Sequence, residues 1–75
     1  MYSRRACGLC DIARTAIHAE RELRPFAFDE VFIDGDDELE RAFGLRVPVV
    51  VVDGEEHFEF EIDVGRLRTL LSGPA

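Results

Sequence analysis

The sequence has no lysine and no tryptophan, one tyrosine, one methionine, three prolines and only two cysteines in 75 residues. Each shortage excludes something. Without lysine, the positive charge rests on nine arginines against sixteen acids, and the resulting formal charge of -7 repels phosphate backbones and anionic headgroups. Nucleic acid and membrane surfaces are therefore not expected as partners. No apolar run approaches the roughly 20 residues that span a bilayer. The fragment SRRACGL looks superficially like a twin-arginine export signal, but the apolar stretch such a signal needs does not follow it. These absences point to a cytoplasmic protein. In a reducing compartment two closely spaced cysteines are a poor structural staple, because the loop they close is too small to stabilise much.

What is present describes one small folded domain spanning residues 1–75. The chain is 47% hydrophobic and 33% charged, with six phenylalanines, enough for a modest core near the size where burial only just outweighs chain entropy.

Periodicity gives the order of elements. Asp11 to Arg24 carries Ile12, Ala13, Ala16, Ile17 and Leu23 at helical spacing against Arg14, Glu20, Arg21 and Glu22, so an amphipathic helix is expected there, closed by Pro25. Val31 to Ile33 reads as a strand. DGDDELERAFG reads as a short helix capped by Asp36 or Asp37, with Leu39 and Phe43 on one face and Gly44 as its stop. VPVVVV and EEHFEF form a hairpin through Asp53-Gly54, with Val49 to Val52, Phe58 and Phe60 expected in the core. Asp63 then caps a last helix that turns Val64, Leu67, Leu70 and Leu71 inward and ends at Gly73-Pro74.

The cysteines form a CxxC pair at the start of the first helix, beside a βαβ pattern, which is the setting of a thioredoxin-like redox site. At a helix N-terminus the unpaired N–H groups and the helix dipole favour thiolate over thiol, so Cys7 is the candidate nucleophile and Cys10, one turn on, the resolving thiol. Arg4 and Arg5 add positive charge nearby. Asp11 is read as a first-turn acid that supports the helix dipole. A zinc site would have to recruit His18 and His57, whose spacing fits no zinc finger, so no metal is expected; His18 is placed on the wet side of its helix and His57 on a strand. The acidic cluster fits no calcium loop and is read as a helix cap.

At these residues the chain resembles a known family. YSRRACGLC looks like the Y-S-x-x-x-C-x-x-C signature of glutaredoxins and short glutaredoxin-like proteins, and RVPVVVVDG looks like their Val-Pro strand and turn. The resemblance implies an α/β thioredoxin-like fold of the minimal glutaredoxin type, a mixed sheet of about four strands flanked by three helices. It also implies a cis Pro48 against the CxxC, a Val47 that offers its backbone to an extended partner, and a substrate cleft including Arg4, Val47, Pro48 and Asp63. Its activity would be thiol-disulfide exchange on protein or glutathione mixed disulfides without a bound cofactor.

Two departures sharpen the expectation. Glutaredoxins usually carry Gly-Gly before the last helix, whose N-terminus takes the γ-glutamyl carboxylate of glutathione. Here Phe60 and Glu61 stand in those places and Asp63 at the cap, so glutathione is expected to bind weakly, with a flavin-dependent reductase as alternative donor or a protein disulfide as substrate. The first strand, central in this fold, has only Met1, Tyr2 and Ser3 to build it; it is unusually short, and completion by residues upstream or by a second chain leaves monomer and dimer both open. The rival function is a redox-inert thioredoxin-fold module that binds a protein through the same cleft.

Overall fold

In the computed structural model, which describes residues 1–72, the elements run β1 (Tyr2–Ser3), α1 (Gly8–Leu23), β2 (Val31–Phe32), α2 (Asp37–Phe43), β3 (Val49–Val52), β4 (Glu55–Glu59) and α3 (Val64–Ser72). The expected stop of the last helix at Gly73-Pro74 lies outside the described residues. The strands form one mixed sheet in the order β2-β1-β3-β4, with β1 parallel to β2 and antiparallel to β3. Four strands and three helices make the thioredoxin-like, glutaredoxin-type architecture.

The short first strand is indeed central. Tyr2 pairs with Val31 on one side and Val49 on the other, so the sheet closes on both sides of β1 within one chain. Flanking hydrogen bonds lengthen this narrow join: Val31 N–H donates to the Met1 carbonyl and Ile33 N–H to the Ser3 carbonyl, each at 2.9 Å. Consecutive strand residues point to opposite faces. Met1 enters a core shared with Ala13 and Ile17 of α1, Val50, Phe58 and Leu67 of α3. Tyr2 faces the other way and stacks on Phe43 of α2, with ring centroids 4.2 Å apart. Thus α1 and α3 cover one face of the sheet and α2 the other.

The caps follow from local chemistry. Asp36 is the N-cap of α2, its carboxylate accepting from the N–H groups of Glu38 and Leu39 at 3.1 and 3.0 Å. Asp53 and Gly54 both have positive φ, as a two-residue hairpin turn requires. Gly44 ends α2 for a different reason than backbone freedom. Its φ is -53°, and a side chain there would meet the Glu40 carbonyl at 2.4 Å and the Arg4 guanidinium at 3.0 Å.

Three expectations need correction. Helix α1 begins at Gly8, because Cys7 itself caps it. Its buried stripe is Cys10, Ala13, Ile17 and Glu20, spaced three, four and three apart, which leaves Ile12 68% and Leu23 73% exposed. Glu20, expected on the polar side, is only 8% exposed because Arg68 of α3 reaches across to it with two hydrogen bonds of 2.9 and 2.8 Å. Those bonds hold its carboxyl below the usual range against the opposing effect of burial. Phe60, expected in the core, is 45% exposed; β4 ends at Glu59, and a φ of +68° at Phe60 itself takes it out of the alternation that buries Phe58.

Candidate active site

The cysteine loop is built where β1 hands over to α1. Ala6 adopts a φ of +53°, a conformation uncommon outside glycine, and turns the chain so that Cys7 becomes the N-cap of α1. The Cys7 sulfur accepts the Cys10 backbone N–H at 3.1 Å, and the Cys7 carbonyl accepts from Asp11 at 3.0 Å. A sulfur here receives one of the N–H groups left free by the helix start and sits at the positive end of the helix dipole.

Cys7 and Cys10 are joined as a disulfide, with Cα atoms 5.2 Å apart, inside the range such bonds favour. The two sulfurs are not equivalent. Cys7 is half-buried and Cys10 is fully buried, so an incoming thiol or disulfide reaches Cys7 alone. The space beside Gly8 is open: a side chain there would meet nothing within 4 Å.

Topology carries the other predicted residues to the same end of the sheet. Because β3 runs antiparallel to β1 from the Tyr2–Val49 pair, Val47 and Pro48 lie alongside the chain leaving Ser3 toward Cys7. The Val47–Pro48 bond is cis. Pro48 is buried, and neither the N–H nor the C=O of Val47 has a hydrogen-bond partner among the described residues. The N–H of Phe60 bonds to the Pro48 and Arg46 carbonyls at 3.0 and 3.3 Å, which fastens the end of β4 to this turn.

The arginines do something other than flank the thiol. The Arg4 guanidinium donates to the Gly44 carbonyl at 3.1 Å and pairs with Glu40 at 2.7 Å, so it is committed to α2. Arg5 lies over the Phe32 ring, 4.8 Å from its centroid, and its backbone N–H donates to Asp34 at 2.9 Å. Both ties brace the cysteine loop. Asp34, Glu40 and Gly44 were not read as site residues; Asp34-Gly35 is legible as a turn, but no local pattern says that the turn holds the cysteine loop. Asp11 is exposed and pairs with Arg14 one turn on, at 2.7 Å.

Asp63 caps α3: its carboxylate accepts from Arg66 N–H at 3.1 Å and its carbonyl from Leu67 N–H at 2.9 Å. At the helix end where the resemblance would seat a glutathione carboxylate, the chain has placed one of its own. His18 is exposed and meets Phe28 edge-on, and His57 is half-buried on β4. No group of three or more His, Cys, Asp or Glu side chains suited to a metal ion occurs among the described residues, and no helix among them is long and apolar enough to cross a membrane.

Comparison with known proteins agrees with this geometry. The sequence profile described as Glutaredoxin-like domain (DUF836) matches residues 1–72. Uncharacterized proteins of Mycobacterium tuberculosis and Mycobacterium bovis are 35% identical over 75 residues, covering 91% of this chain and 75% of theirs. The X-ray structure of target protein XcR50 from X. campestris superposes with a TM-score of 0.76 at 43% identity, over 99% of this chain and 95% of that one.

Proposed function

The chain belongs to the glutaredoxin-like family, and on that footing we propose that it is a thiol-disulfide oxidoreductase acting on protein disulfides. In the reduced protein the Cys7 thiolate attacks one sulfur of a substrate disulfide, forming a mixed disulfide and releasing the first substrate thiolate, which takes a proton from solvent. Cys10, deprotonated, then attacks the Cys7 sulfur and expels the second substrate thiolate, which is protonated in turn. The substrate gains two electrons and two protons; the protein is left with the Cys7–Cys10 disulfide. A second dithiol, on a flavin-dependent reductase or supplied by two glutathione molecules, returns the electrons.

The observation that carries this reading is the asymmetry of the pair, a half-buried Cys7 capping a helix and a fully buried Cys10 directly behind it. A structural disulfide needs neither the cap nor the one-sided access. The unpartnered backbone of Val47 beside the pair supports an extended peptide as the substrate, since such a segment satisfies a free N–H and C=O with its own main chain. The Asp63 carboxylate at the start of α3 supports the preference for protein disulfides over glutathione.

Equilibration in glutathione redox buffers, acid quench, alkylation and mass analysis test the proposal. Clean interconversion of dithiol and disulfide, with little glutathione adduct, is expected. A pair that stays in one state across all buffers overturns it and leaves a redox-inert binding module.

A further inference from the structure

Beside the cysteine pair lies a groove of about 200 Å³ between the first turns of α1 and the segment joining β4 to α3, lined by Leu9, Ile12, Ala16, Phe60 and Ile62 with Glu61 at its edge. It is too small for a typical small-molecule site, which runs to roughly 300–1,000 Å³. It has room for one large side chain. Leu9, between the two cysteines, is 43% exposed, and with Ile12 and Phe60 it forms an apolar patch on a chain whose formal charge is -7. Phe60 is held there by its backbone. A φ of +68° is costly for an aromatic residue, and it is this departure from the strand that turns the ring toward solvent while its N–H stays bonded to the turn at Pro48.

The rim gives the groove a sign. Glu61 and Asp63 are exposed and make no ion pair among the described residues, whereas Asp11, Glu20, Glu30, Glu40, Glu56 and Glu59 are matched by arginines. The cation closest to them along the chain, Arg66, lies 5.8 Å from the centre of the Phe58 ring. Two unmatched carboxylates beside an apolar groove complement a segment that carries positive charge next to an apolar residue.

We infer that this groove selects the protein substrate: it seats a large apolar side chain of a cysteine-bearing segment whose flanking arginine or lysine meets Glu61 and Asp63. The inference rests on the oxidoreductase reading for the word substrate. The docking preference is a separate, measurable property. Burial of one large apolar side chain is worth about a ten- to hundredfold change in binding, and exposed charge pairs add less and are lost at high salt.

The test uses the full chain and labelled ten-residue peptides with serine in place of cysteine, followed by fluorescence anisotropy, so that no exchange chemistry is involved. A peptide with phenylalanine and arginine beside the serine should bind at least about tenfold more tightly than one with serine and glutamate in those places. Ile12→Ser should remove most of the preference; Ile12 is largely solvent-exposed, so the fold does not depend on it. Glu61→Arg should weaken the cationic peptide at low salt and leave no difference near 1 M salt. Glutathione at millimolar concentration should not displace the peptide. Affinities equal within about twofold, or a preference that survives both substitutions, overturn the inference. If the same peptides with cysteine are bound selectively yet never exchange disulfides, the groove stands and the oxidoreductase reading falls.

Discussion

Helices α1 and α3 start at the same end of the sheet and are capped by different chemistry. The cap of α1 is the sulfur of Cys7, which receives a helix N–H on an atom that can react. The cap of α3 is a carboxylate, Asp63, which receives one on an atom that cannot. Both caps satisfy a backbone group that would otherwise lack a partner. On the proposed reading, the field of one helix end is left to act on a nucleophile, that of the other is spent on a fixed anion, and two equivalent helix ends give one reactive centre and one end closed to anions.

The largest effect that tests this contrast comes from the thiols. Cys7→Ser should abolish exchange, while Cys10→Ser should accumulate the mixed disulfide on Cys7, both read by mass under non-reducing conditions. In the reduced wild type, iodoacetamide near neutral pH should modify Cys7 at least about tenfold faster than Cys10. Equal rates would remove the distinction between nucleophile and resolving thiol.

Next in size is Gly44→Ala, which forces a methyl group against the Glu40 carbonyl and the Arg4 guanidinium. We expect a loss of about 1–3 kcal/mol, seen as a fall of roughly 4–20 °C in Tm. An unchanged Tm would mean that the end of α2 shifts easily, opening the distance between residue 44 and the Glu40 carbonyl. The caps themselves come third. Asp36→Ala and Asp63→Ala should each cost about 1 kcal/mol. Asp63→Asn should keep the cap and the Tm yet raise the yield of glutathione adduct on Cys7, because only the charge is gone. If Asp63→Asn leaves the adduct unchanged, Asp63 is a cap and nothing more.

The smallest effect concerns acid. Arg68 and Arg14, through hydrogen bonds, hold the Glu20 and Glu30 carboxyls below their ordinary value of 4.5. A carboxyl depressed in the folded state contributes its full stability above the unfolded value and loses it as pH falls through the folded one. The fall in Tm between about pH 5 and about pH 2 should therefore be shallower in Glu20→Gln, which starts lower and has less to lose. A parallel profile would show that the Arg68 bridge is absent in solution.

Much of this was legible in the residues. Runs such as VPVVVV and caps such as Asp36 and Asp63 act over a few positions, so strands, hairpin and helix starts could be read directly, and the CxxC at a helix start carried the site. What escaped depends on partners distant in sequence. Glu20 looks like any exposed helical acid until Arg68 arrives from α3, and Arg4 looks like a charge beside a thiol until Gly44 and Glu40 claim it. Phe60 continues the alternation of Phe58 in the sequence; only the end of β4 at Glu59 and the backbone turn at Phe60 show that it leaves the core.

The two-residue central strand has a consequence for how the molecule comes into being. Among the described residues, β2 joins the β3–β4 hairpin only through Tyr2 and Ser3, and of these Tyr2 alone pairs with β3. A chain emerging from the ribosome makes them before the rest of this sheet, yet they cannot finish it until Val49 has followed. Helix α1 can form on its own schedule from local contacts, whereas assembly of the sheet waits on its most distant strand pairing, Tyr2 with Val49. The strand that precedes the others of this sheet is thus among the last to be secured, and until then the cysteine loop that grows out of it has no wall to stand against.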